Sequence, residues 1–132
     1  MVKIMAVTTA SLLALFALGY FVTMTLKPVS TDLSVIGQGK PILVLAYENF
    51  SPTGGDALDS LRQVRSEYES WMAFVVADLG TPQGRTFANR YGLVNGQAVF
   101  MKPNGQSLRV INILDDEREL RTYLDAKLVA VE

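Results

Sequence analysis

The sequence predicts an α/β domain built on a central mixed sheet flanked by helices, preceded by a single transmembrane helix. Three observations predict it. The run Ile4 to Leu26, "IMAVTTASLLALFALGYFVTMTL", carries no charge. After it, apolar runs of strand length alternate with segments of helical periodicity, which is the order of a layered α/β fold. Near the end, two β-rich runs flank Pro103-Asn104-Gly105, the chemistry of a hairpin turn.

At about 1.5 Å of rise per residue the first run reaches ~34 Å, enough to cross a hydrocarbon core of about 30 Å. It continues through Phe21, Val22, Met24 and Leu26, past the small-residue site at Ala17-Leu18-Gly19 where a secretory signal could be cut. An uncleaved signal anchor over residues 1–27 is therefore expected in preference to a signal peptide. The short head before Lys3 puts the amino terminus inside, and the expected location is a bacterial inner membrane with the domain on its periplasmic side. Ala6, Ala10 and Ala14 recur at every fourth position, a small-residue stripe that lets helix backbones approach, although alanine is common in such segments. Residues 28–39 are expected to form a short juxtamembrane linker, with a helical turn between Thr31 and Ile36.

Residues 40–132 form the expected domain. Pro41 to Tyr47 is a near-continuous apolar run, as in a strand covered on both faces. From Asp56 to Trp71, the residues Ala57, Leu61, Val64, Tyr68 and Trp71 make one stripe of an amphipathic helix, with Arg62, Arg65, Glu67 and Glu69 opposite. "MAFVVADLG" is a second buried strand. Thr81 and Pro82 supply the N-cap and first residue of the next helix, Phe87, Ala88 and Tyr91 turn inward, and Gly92 stops it. The hairpin follows, and then Asp115, Asp116 and Glu117 open a last helix that turns Leu120, Leu124 and Leu128 to the sheet.

Composition excludes several chemistries. Twelve basic against thirteen acidic residues leave a formal net charge of −1, with no basic surplus for a phosphate backbone, so nucleic acid is not an expected partner. The chain has no cysteine and no histidine. Thiolate nucleophiles, disulfides, imidazole bases and the commonest zinc ligands are thereby absent. Asp115, Asp116, Glu117 and Glu119 are better explained as a helix cap with a Glu117–Arg121 pair than as a metal cluster, and neither metal nor cofactor is expected. Glu48 and Asp56 flank a loop, but nothing fixes their separation for paired-carboxylate chemistry.

From about Asp32 to Val129 the chain resembles a thioredoxin. "GKPILVLAY" is similar to that family's central strand, and "RYGLVNGQAVFMKPNG" to the segment that carries its cis-proline strand and hairpin. The resemblance implies a thioredoxin-like fold. It also places the family's two redox cysteines on Ser51 and Gly54, its buried acid on Leu45 and its cis-proline on Gln97. Serine cannot exchange as sulfur does, and glycine has no side chain. The resemblance thus implies a domain without oxidoreductase chemistry whose substrate groove is kept for binding. Phe50, Ser51, Pro52, Thr53, Gly54 and Gln97 are its candidate partner-binding residues, with Phe50 as apolar contact and Tyr47 and Trp71 expected in the core.

The expected function is a membrane-tethered, redox-inactive module that binds a membrane protein or complex, as accessory subunit or assembly factor, and meets the bilayer through residues 4–26. The alternative is a glutathione- or thiol-transferase-type enzyme in which Ser51 stabilises a thiolate. It lacks both the cis-proline and the added helical domain of such enzymes. A further possibility is an anion or peptide carboxylate at the helix N-terminus after Gly54-Gly55, where Asp56 and Asp59 are expected to occupy the positive end already.

Overall fold

The computed structural model describes residues 10–20, 28–113 and 117–131, with backbone alone at 117 and 127–131. Ile42–Tyr47 forms strand β1, and its composition explains its place. Ile42, Leu43, Val44, Leu45 and Ala46 are all buried, as expected for a strand covered on both faces. β1 pairs in parallel with β2 (Ala73–Asp78), Ile42 facing Ala73 and Tyr47 facing Asp78. On its other edge it pairs antiparallel with β3 (Gln97–Met101), and β3 pairs antiparallel with β4 (Ser107–Asn112). The sheet order is β2-β1-β3-β4.

Residues 10–20 form helix α1. It covers part of the apolar run Ile4 to Leu26, and the rest of that run lies outside the described residues. No helix among the described residues is long and apolar enough to cross a membrane. Helices α2 (Pro52–Tyr68), α3 (Pro82–Tyr91) and α4 (Glu117–Val131) cover the sheet. Side-chain alternation along the strands decides which helix meets which face. Leu43, Leu45, Phe74, Val76, Ala98 and Phe100 pack with Ala57, Leu61 and Val64 of α2 and with Leu120 and Leu124 of α4. Ile42, Val44, Ala46, Val75 and Val99 pack on the opposite face with Ala88 of α3, flanked by half-buried Phe87 and Tyr91.

Local signals set the helix ends. Thr81 caps α3 through its side chain, and Gly92 ends it at φ 66°, in the left-handed region where glycine carries no Cβ penalty. α2 departs from the expected Asp56 to Trp71. It begins at Pro52, because Ser51 caps it and proline is tolerated where no intrahelical N–H is needed. It ends at Tyr68, so Trp71 falls in the following turn and leaves the apolar stripe. Instead of joining the core, its side chain is 53% exposed. Tyr47 is only partly buried, against the α2 face.

The segment expected as a linker is folded onto the domain. Ser30 bridges to Val75 in parallel, its carbonyl accepting from the Val76 N–H at 2.8 Å. A 3-10 turn at Leu33–Val35 then lays Leu33, Val35 and Ile36 against the α3 face. The Gly39 N–H reaches the Pro103 carbonyl at 3.0 Å before β1 begins. Most of the last helix lies where expected, while Asp115, Asp116 and the side chains of Glu117 and Leu128 lie outside the described residues.

Tyr68 joins α2 to α4. Its hydroxyl donates to Asp125 Oδ1 at 2.6 Å, and one turn away Arg121 forks onto both oxygens of Glu67 at 3.0 and 2.9 Å. Burial, then the Asp125 carboxylate, pushes the Tyr68 hydroxyl up to about 12. A phenol raised on folding stabilises the fold below its unfolded value near 10, and that stabilisation fades as pH climbs toward 12. Tyr68→Phe should cost about 1–2 kcal/mol at neutral pH by chemical denaturation, since a hydrogen bond to a charged acceptor is lost. Between pH 10 and 12 the variant should lose less stability than the wild type.

Candidate functional site

All the candidate loop residues lie at one end of the sheet. The chain leaves β1 at Tyr47, passes Glu48, Asn49 and Phe50, and enters α2 through Ser51. Gln97 begins β3 beside it, with the Gly96 N–H bonded to the Ala46 carbonyl at 2.9 Å. Phe50, Ser51, Pro52, Thr53, Gly54 and Gln97 therefore share one rim. Ala10 and Ala14 lie one helical turn apart on α1, and Ala6 lies outside the described residues.

Asn95, which the sequence did not single out, holds this rim together. Its Oδ1 accepts from the Glu48 N–H at 2.9 Å, and its Nδ2 donates to Ser51 Oγ at 3.0 Å. One half-buried amide thus braces both ends of the loop across the gap between β1 and β3. Its only sequence signal is Asn95-Gly96, an ordinary turn pair, because the contact is remote along the chain. Asn49 adds a second brace, its Oδ1 accepting from the Tyr47 hydroxyl and from the Phe50 N–H, both at 3.1 Å.

Between the braces stands Phe50. It is 97% exposed and has φ 63°, the one non-glycine residue with positive φ among those described. A bulky side chain in the left-handed region costs on the order of 1–3 kcal/mol and persists only where the surroundings over-determine it. Asn95 and Asn49 supply that over-determination. The loop therefore holds an aromatic ring out in solvent in a fixed backbone state.

Ser51 acts locally. Its Oγ accepts from the Gly54 N–H at 3.3 Å and from Asn95, which uses both acceptor positions of the hydroxyl. Pro52 has no N–H, and Ser51 already satisfies Gly54. The cap thus takes up part of the helix N-terminus. Asp56 and Asp59, expected in the first turn, lie beyond it because α2 starts earlier, and the first turn carries no acid.

Gly54 is fixed by close approach. A Cβ there would sit 2.5 Å from the Glu48 carbonyl oxygen and 3.0 Å from Asn95 Oδ1. The position to which the resemblance assigns a cysteine cannot hold one without moving this loop. Leu45, at the position of the buried acid, is fully buried in the core beneath α2. Gln97 folds back on its own turn, its Oε1 accepting from the Val94 N–H at 3.1 Å. No group of three acidic residues that could hold a metal occurs among the described residues. Clefts of about 460 and 470 Å³ flank the 31–36 segment, lined in part by Leu33 and Gln83 and by neither Phe50 nor Ser51.

Three changes separate these roles in thermal or chemical unfolding. Asn95→Ala should destabilise by about 0.5–1.5 kcal/mol, as its bonds to the exposed Glu48 N–H and the half-buried Ser51 hydroxyl are lost. Phe50→Gly should stabilise by up to about 1 kcal/mol, as the left-handed strain is relieved. Gly54→Cys should destabilise by about 1–3 kcal/mol through overpacking.

No protein-family profile and no curated sequence matches the chain. Solved structures do. An uncharacterized thioredoxin-like protein from Clostridium perfringens superposes with a TM-score of 0.63 at 20% identity, over 74% of this chain and 79% of that one. Trxlp from Edwardsiella tarda gives 0.60 at 14% identity, covering 74% of this chain and 98% of its own. The germline-specific thioredoxin Deadhead from Drosophila melanogaster gives 0.56 at 16%, covering 68% and 83%. At such identities the likeness speaks for the fold alone, and the fold is thioredoxin-like.

Proposed function

We propose that this chain is a membrane-tethered, redox-inactive thioredoxin-like module that binds a protein partner, as accessory subunit or assembly factor of a membrane complex. The observation that carries the reading is Phe50, almost fully exposed and held at φ 63° by a braced loop where the thioredoxin resemblance puts the reactive pair. A strained, exposed aromatic is costly for folding and suited to recognition, since a preset backbone loses little freedom on docking. Ser51, Thr53 and Gln97 share its rim, where the Ser51 and Thr53 hydroxyls and the Gln97 Nε2 are able to donate hydrogen bonds that need no thiol.

The cysteine-free sequence supports redox inactivity, because the chain has no sulfur nucleophile to exchange. The uncharged Ile4 to Leu26 run supports the tether, and confinement beside a partner lets a weak contact suffice. Along the tether, the Ala6, Ala10 and Ala14 stripe is the face best able to pack against a partner helix.

The chain should not accelerate insulin reduction by dithiothreitol above the reductant alone. Its partner should co-purify in mild detergent and be identifiable by mass spectrometry. Phe50→Ala should weaken that co-purification about five- to hundredfold, the loss expected from truncating an aromatic anchor. Undiminished co-purification with a correctly folded variant would move the interface elsewhere.

A further inference from the structure

The end of the sheet opposite Phe50 carries a second feature, which deepens the tethered reading and rests on it. β1 starts there, and three turns converge on it. The Ala73 N–H donates to the Pro41 carbonyl at 2.9 Å, which sets the Trp71-Met72 turn beside Lys40. Gly39 donates to Pro103, which sets Lys102 on the other side of Lys40. Trp71 is 53% exposed, the largest aromatic surface at this end. Lys40 is exposed, Lys102 half-exposed, and neither has a carboxylate partner among the described residues. Glu69, the C-cap of α2, lies nearby, as do Glu67, which is paired with Arg121, and Asp125, which accepts from the Tyr68 hydroxyl.

The chain reaches the domain at this same end. Ser30 pairs in parallel with Val75, so the residues before Ser30 run toward the Ala73 start of β2. The apolar run ends at Leu26, and two residues to Pro28 span at most about 7 Å. A helix in the bilayer therefore brings Trp71, Lys40 and Lys102 to the headgroup layer. Tryptophan favours that layer because its ring is apolar and its N–H polar, and lysines there are drawn to anionic lipid. The far end carries Glu48, Asp56, Asp59 and Asp78, with Arg62 and Arg85 among them, and gains nothing from an anionic surface. We propose that the Trp71, Lys40 and Lys102 rim seats on the anionic phospholipid headgroups of the membrane that holds the chain, and so turns the Phe50 loop away from the bilayer.

Trp71 is the only tryptophan, so its emission reports on this rim directly. The full-length chain is reconstituted into phosphatidylcholine vesicles with and without phosphatidylglycerol, and the emission is challenged with brominated lipid and with aqueous acrylamide. Brominated lipid should quench Trp71 and acrylamide should quench it weakly, more markedly so with phosphatidylglycerol present. Joint Lys40→Glu and Lys102→Glu replacement should reverse the pattern, each lost lysine lowering the docked-to-undocked ratio about fivefold. If brominated lipid leaves the emission unchanged while carbonate washing leaves the chain in the vesicles, the rim proposal is overturned and the tether stands. Equal quenching in the double variant also overturns it. A chain released by carbonate overturns the tether reading and this proposal with it.

Discussion

The double burial of β1 fixes everything else. A strand hydrogen-bonded on both edges and covered by helices on both faces cannot shift by one residue without turning its whole apolar set the wrong way. Leu43 and Leu45 answer to α2 and α4, while Ile42, Val44 and Ala46 answer to α3. The loop that leaves β1 inherits this fixed origin. Asn95, carried to the same rim by β3, then ties Glu48 and Ser51 to it. Rigidity passes from core to loop through one strand end and one amide.

That chain of constraint explains how a bulky residue stays at φ 63° in solvent. It also makes the loop a poor host for the chemistry its position suggests. Gly54 has no room for a side chain, Ser51 is committed to capping and bracing, and Leu45 is sealed in the core. These positions pack well as they are, and an exposed ring on a fixed backbone is what they leave at the surface.

Much of this was legible in the sequence. Thr81-Pro82 and Gly92 marked α3 because caps are local, and the apolar run from Pro41 marked β1 because double burial leaves no polar alternation. The start of α2 was hidden because Pro52 and Gly54-Gly55 resemble a turn, although proline suits the first residue of a helix. Helical spacing places Trp71 in the core, but α2 ends at Tyr68, before reaching it. Asn95 and the backbone of Phe50 were illegible because each depends on contacts between segments distant in the chain. The resemblance nominates Phe50 to Gly54 and Gln97, and the bracing by Asn95 and Asn49 lies outside what it nominates.

The most direct test of the account is photo-crosslinking from position 50 in native membranes, with position 65 on the outer face of α2 as comparison. A photoreactive residue at Phe50 should give one discrete protein adduct, and one at Arg65 none. An adduct from position 65 with none from position 50 would contradict the claim that the braced loop is the recognition surface.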